Sequence, residues 1–219
     1  MHARSSSSPS DNADSGTARI QRVTEAGASV EIILTDGSSF FVSPKDRRAL
    51  SLEEDGVVAL ADLASCAFRH ELSRAHTKAL ELLARREHTA QEIMRKLEQR
   101  GYRPEVISEC VAKLKDDNSI DEMRFAAYYI ESRLRRSPRG RSAVVAELVQ
   151  RGIDRALAEN AVDSYEAEYP EVFAEALHRA LRKVQRDTTS PEKISRRLSR
   201  RGFSAGEVRR ALDARNEEL

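Results

Sequence analysis

The chain of 219 residues carries 37 basic and 36 acidic side chains, and this balance excludes a polybasic nucleic-acid tail and a strongly acidic protein. No apolar run approaches the roughly 18 residues of a membrane-spanning helix, and the Ser- and Asp-rich start lacks the apolar centre of a secretory signal. Two cysteines make no disulfide framework, so we expect a protein of the reducing cytoplasm. Abundant Ala, Leu, Glu and Arg with nine Gly and six Pro favours a mainly α fold.

The N-terminal part divides into a tail and a small β-rich segment. Residues 1–16 are predicted to be disordered, because Ser, Asp and Asn without apolar periodicity cannot offset the entropy of ordering. In the segment 17–61, two β-rich runs flank Asp36-Gly37, a pair that accepts the positive φ of a tight hairpin turn. We predict an antiparallel sheet of about three strands here. A short helix and a turn are predicted to follow over 44–56.

From about residue 62 the pattern is helical and repeats with a period of about 50 residues. A Leu-x-x-Arg-Gly-apolar sequence occurs three times, ending at Tyr102, Ile153 and Phe203, and apolar residues recur at matching distances around each Gly. The repeat predicts three tandem three-helix units at 62–121, 122–170 and 171–219. Their first helices are expected at 75–87, 122–136 and 171–186.

Capping residues mark the second helix of these units. Thr89 with Glu92 forms a capping box, and Ser190 precedes Pro191 at a first helical turn. The Gly that ends each pattern fits the left-handed position after a helix. Each unit is too small to complete a core alone, so we expect neighbouring units to stack.

The repeats and one short motif resemble the RecX family, the regulators of the RecA recombinase. The stretch Asp121-Glu122-Met123-Arg124-Phe125-Ala126 is similar to the acidic-x-x-Arg-Phe-Ala signature of that family, and the segments 79–101 and 140–153 match as well. The resemblance implies binding to RecA, or to its filament on DNA, and restraint of recombination, ATPase and SOS co-protease activity in DNA repair. We expect a monomer whose contact with DNA is at most weak. We expect no membrane partner and no small-molecule substrate.

The same signature also has a structural interpretation. Asp121 is placed to cap the following helix, and Phe125 to fill the core. Arg100, Arg151 and Arg201, which precede the repeated glycines, are favoured in a last helical turn by the helix dipole. For both features we therefore favour a role in folding over a role in partner binding.

No residue pattern indicates catalysis. The sequence contains neither a phosphate-binding loop nor a dinucleotide-binding glycine motif. His70 and His76 fall on different helix faces, and Cys66 with His70 lacks a third metal ligand. We predict that the protein is not an enzyme and has no cofactor and no metal.

Two groups of arginines are the candidate site for RecA, DNA or both. They lie in the most basic part of the molecule or in a connection between helices, where arginine donors meet phosphates or carboxylates. Segment 173–219 holds 12 basic and seven acidic residues, net +5. The first group surrounds Pro138-Gly140 and the second shares one helix face: Arg133, Arg135, Arg136, Arg139 and Arg141; Arg196, Arg197 and Arg200.

Two other functions remain open. The helices joined at Gly101 resemble a helix-turn-helix, so a DNA-binding protein acting without RecA is the alternative. Against it, the second of these helices, predicted from Glu105 to Lys115, offers no Arg, Asn or Gln to read base edges. A purely structural scaffold is the third hypothesis.

Overall fold

The computed structural model describes residues 16–217, with side chains up to Asp213, so the predicted tail over 1–16 lies outside the described residues apart from Gly16. The described chain forms two compact units. One holds the segment up to Ala79 and Leu97–Cys110, and the other holds Leu80–Lys96 and the segment from Val111 onward.

Four antiparallel strands form the sheet of the first unit: β1 (Thr17–Ala26), β2 (Ser29–Leu34), β3 (Ser39–Val42) and β4 (Val57–Ala59). Their order in the sheet is β3-β2-β1-β4. Gly37 adopts φ +87° in the turn between β2 and β3, and the Asp36 carboxylate accepts the backbone N–H of Ser38 at 2.9 Å, which confirms the predicted hairpin. The fourth strand corrects our expectation of about three, since a three-residue strand is too short to show a period of two.

Helices cover the rest of the described chain, beginning with α1 (Pro44–Ala49), which Ser43 caps. The first repeat contains α2 (Leu60–Leu83), α3 (Ala90–Glu98) and α4 (Pro104–Asp116). Helix α2 begins 15 residues before the predicted start at residue 75, because Leu63 and Cys66 of its first turns belong to the apolar core under the sheet. It also ends earlier than predicted, at Leu83. The next three residues, 84–86, are exposed, so no burial favours a longer helix.

The described helices from residue 122 onward are α5 (Glu122–Arg136), α6 (Arg141–Val149), α7 (Arg155–Glu168), α8 (Val172–Gln185), α9 (Pro191–Ser199) and α10 (Ala205–Glu217). Helix α5 has the bounds predicted for a first helix, and α8 is one residue shorter at each end than predicted. Asp121 caps α5 through the N–H of Arg124, and Ser190 caps α9 through the N–H of Lys193, both as expected. These features confirm a mainly α fold of three-helix repeats, preceded in the chain by a small β-sheet.

One apolar core runs through the second and third repeats. Positions matched by the repeat have matched burial: Val144 and Ile194 are buried, and so are Leu148 and Leu198. Phe125 is 2% exposed in this core, as its place in the signature predicts. Burial of apolar surface at repeated positions is therefore what the period of about 50 residues encodes.

Neighbouring repeats are also joined by hydrogen bonds to backbone carbonyl oxygens at corresponding positions. The Thr89 hydroxyl donates to the carbonyl oxygen of Arg151 at 2.8 Å. The backbone N–H of Gly140 donates to the carbonyl oxygen of Arg201, also at 2.8 Å. In each case the start of a second helix in one repeat meets the turn after the second helix in the next. Gly152 follows Arg151 with φ +89°, and a Cβ there would collide with Gln91.

Candidate partner-binding surface

The first arginine group lies where α5 ends and α6 begins, and the fold neutralises most of it. Arg133 donates twice to Glu147 of α6, with Nε–Oε2 2.6 Å and Nη2–Oε1 2.9 Å. Arg139 Nε lies 3.3 Å from the same carboxylate, without hydrogen-bond geometry. Glu147 also accepts the Tyr129 hydroxyl at 2.8 Å. Burial would raise the pKa of Glu147, but Arg133 and Tyr129 hold that pKa below its usual value, so the carboxylate is ionised.

The remaining members of this group differ in how they are paired. Arg135 pairs with Glu131 one turn earlier in α5. Arg141 bridges to α7, with Nη1 2.6 Å from Glu166 Oε2. Arg136 is exposed and has no ion pair among the described side chains. Most of this group therefore joins helices of the second repeat.

The second arginine group is less neutralised. Arg196 and Arg200 project from the exposed face of α9, opposite buried Ile194 and Leu198, and neither has an ion pair with a described side chain. Arg197 does have one: its Nη1 lies 3.0 Å from Asp187 Oδ2, in the loop before the helix. This pair joins residues ten positions apart, so the spacing of charges along a helix does not predict it.

Four further cations of the third repeat, three at the end of α8 and one on α9, were not singled out from the sequence. They share exposure and the lack of an ion pair with any described side chain. Glu192 does not balance them, since it accepts the Ser190 hydroxyl at 2.7 Å beside the helix cap. The four are Arg182, Lys183, Arg186 and Lys193. Together with Arg196 and Arg200 they are named the repeat-three cations. Their signal in the sequence was the net charge of segment 173–219.

Among the arginines before the repeated glycines, Arg151 is held by an ion pair and a ring contact. Arg151 lies with its guanidinium 4.7 Å from the centre of the Tyr129 ring, and its Nη1 is 2.8 Å from Glu92 Oε1. Glu92 also meets His88 Nδ1 at 2.7 Å and Arg86 Nη2 at 2.9 Å. Arg151 therefore has a structural role, as predicted. It acts through a partly buried ionic network and a ring contact, which the helix-dipole argument did not include.

The cysteines and histidines of the described chain form no metal site. No group of three potential ligands occurs among residues 16–213. His70 Nε2 instead lies 2.8 Å from the Ser29 hydroxyl, and Cys66 and Cys110 are buried free thiols. None of the described helices is both long and apolar enough to cross a membrane.

Two family models match the chain. The model described as "RecX, first three-helix domain" matches residues 75–114, and "RecX, second three-helix domain" matches 121–162. These are the first two repeats. The second match begins at Asp121, the cap of α5.

Known proteins with this name are similar in sequence and in fold. A regulatory protein RecX of Halorhodospira halophila is 34% identical over 146 residues, which are 64% of this chain and 87% of that protein. One of Stenotrophomonas maltophilia is 37% identical over 135 residues, covering 61% and 82%. Among solved structures, a regulatory protein RecX superposes with a TM-score of 0.64 at 21% identity, covering 90% of this chain and 99% of that one. RecX from Lactobacillus salivarius gives 0.56 at 24%, covering 66% and 96%. With this identity over most of a relative's length, the chain belongs to the RecX family of regulatory proteins.

Proposed function

We propose that this protein regulates RecA, mainly as an inhibitor, by binding RecA or its filament on DNA. In this role it modulates recombination, ATPase and SOS co-protease activity without catalysing a reaction. Membership of a family of regulatory proteins supports a regulatory role, and the resemblance of the signature at Asp121 to Ala126 supports RecA as its target. Partner recognition is assigned to side chains that the fold leaves unused.

The assignment of the partner-binding site rests on the repeat-three cations. In the second repeat, most candidate arginines already contact Glu131, Glu147 or Glu166. In the third repeat, neither Arg196 nor Arg200 has an ion pair with a described side chain, and the opposite face of their helix is buried. An arginine fork pairs with carboxylates as readily as with phosphates, and the net charge of +1 gives little long-range attraction to DNA. We therefore expect acidic groups of RecA to be the main contact.

The first prediction tests this site with Arg196→Glu/Arg200→Glu, which leaves the Arg197–Asp187 pair intact. Loss of two charged contacts is expected to raise the concentration needed for half-inhibition of RecA ATPase on single-stranded DNA about tenfold. The control is Arg85→Glu/Arg95→Glu, which reverses two exposed cations of the first repeat. Those cations have no ion pair with a described side chain, so this variant should inhibit like the unaltered protein.

A DNA-binding curve at two salt concentrations distinguishes the alternative. A helix-turn-helix-like protein that targets phosphates alone would bind naked DNA tightly. Each phosphate contact that it makes would contribute about 0.7–0.9 to the log–log salt slope. Such binding without any effect on RecA turnover would reject the regulator and support the DNA-binding function. Weak naked-DNA binding with strong inhibition is the expected result.

A further inference from the structure

A second exposed surface of the second repeat is aromatic rather than basic. Tyr169, at the end of α7, is 49% exposed, and Tyr128 on α5 is 51% exposed. Tyr128 lies one helical turn before Glu131, whose charge acts on Tyr165 and Tyr169. The ring of Tyr169 packs against that of half-buried Tyr165, with 4.8 Å between centroids and a tilt of 40°. Because Tyr165 also packs against the apolar core, it supports the exposed ring of Tyr169 from beneath.

Carboxylates lie beside these phenols. Glu168 accepts a hydrogen bond from Tyr169 and, together with Glu131 of α5, raises the pKa of that phenol. Burial is the main cause of the raised pKa of Tyr165, and Glu131 is the next. Arg135 is the cation near Tyr165, and it is already bound to Glu131. Glu168 has no cationic partner among the described side chains.

This combination selects one kind of partner. Tyrosine faces attract the cations of Lys and Arg, and the carboxylate of Glu168, which is paired with no described cation, binds the same groups. The same carboxylate repels phosphates, which disfavours single-stranded nucleic acid stacking on the rings. Exposed Tyr on a rigid support is also typical of the centre of protein interfaces. We propose that this tyrosine surface docks a Lys- or Arg-bearing segment of a partner protein: Tyr128, Glu131, Tyr165, Glu168 and Tyr169.

The inference goes beyond the proposed function and does not depend on it. The repeat-three cations recognise acidic groups, whereas the tyrosine surface recognises basic ones. Loss of the tyrosine surface therefore removes binding of a basic segment and leaves the contact made by Arg196 and Arg200. The two proposals fail separately.

The test measures fluorescence anisotropy of a labelled Arg- and Lys-rich peptide added to the full chain. Tyr169→Ala is expected to weaken binding about tenfold, the effect of removing an aromatic anchor. Tyr169→Phe keeps the ring and should retain most of the affinity, while Glu168→Gln should weaken it severalfold. Phe41→Ala is the matched control, because Phe41 is 44% exposed on β3 of the first unit.

The outcome is decided by comparison among these variants and probes. Equal binding by Tyr169→Ala and the unaltered protein would overturn the proposal, as would equal loss in Tyr169→Ala and Phe41→Ala. Tighter binding of a Glu-substituted peptide or of an oligothymidylate would overturn it too. Circular dichroism identifies an unfolded variant, and in that case the Tyr169→Phe and Glu168→Gln pair decides.

Discussion

Two adjacent side chains of the signature, Arg124 and Phe125, contact different parts of the fold. Phe125 belongs to the family signature and is almost fully buried, whereas Arg124, beside it, is exposed and places Nε 2.7 Å from Glu87 Oε1. The signature therefore holds the start of α5 to the core and to the loop between α2 and α3 of the first repeat. That arrangement supports its interpretation as a folding signal.

Phe125→Ala tests that interpretation. Removal of a buried aromatic ring leaves a cavity, and we expect a loss of about 3–5 kcal/mol in the free energy of unfolding. Urea denaturation followed by circular dichroism measures it. A loss within experimental error would mean that Phe125 contributes little to the core and would favour a partner contact.

The network around Glu92 predicts a pH dependence of stability. Burial lowers the pKa of His88, so the unfolded chain takes up a proton as the pH falls through about 6.5 while the folded chain resists it. Burial would raise the pKa of Glu92, but His88 and Arg86 hold it below its usual value, so the stability that the carboxylate contributes is lost only at lower pH. Both effects destabilise the folded state on acidification. We expect the melting temperature to fall from pH 7 to pH 5, and to fall less in His88→Gln. An equal fall in both proteins would contradict this assignment.

At the scale of elements, the repeated Gly serves two purposes that can be separated. Gly101 and Gly152 both adopt positive φ, at +79° and +89°. A Cβ at Gly101 would meet nothing within 4 Å, whereas one at Gly152 would collide with Gln91 of the preceding repeat. The first Gly is required by backbone conformation alone, and the second by conformation and contact between repeats.

Substitution by Ala measures the two contributions. Gly101→Ala should cost about 1–2 kcal/mol, the strain of a left-handed non-Gly residue. Gly152→Ala should cost about 1–3 kcal/mol more, because the added methyl group forces neighbouring atoms apart. Urea midpoints of the two variants give the comparison. Equal losses would show that the contact at Gln91 yields without strain.

At the scale of the whole molecule, ten helices make 62% of the described residues helical, and one small sheet accompanies them. We expect a far-UV circular dichroism spectrum dominated by helix, with a minor β contribution. A spectrum dominated by strand would contradict the fold.

Residue spacing predicted this architecture because helix caps and core positions are local or periodic signals. Asp121, Thr89 and Ser190 could be assigned from a few neighbouring residues. Strand β4 and the early start of α2 could not, since both depend on packing against the sheet. The same limit applies to the candidate site: Glu147 and Asp187 lie ten or more residues from Arg133 and Arg197, and only the folded chain brings them together.

The two second helices that a hydroxyl caps begin in different ways. The Thr89 hydroxyl accepts the N–H of Glu92 and donates to the carbonyl oxygen of Arg151 in the second repeat, whereas Ser190 at the start of α9 has its contacts with Thr188, Glu192 and Lys193 in its own repeat. The start of α3 is therefore completed only when the second repeat is folded, but the cap of α9 is complete within the third. Local opening of the second repeat should therefore speed amide hydrogen exchange at the start of α3 while α9 keeps its protection.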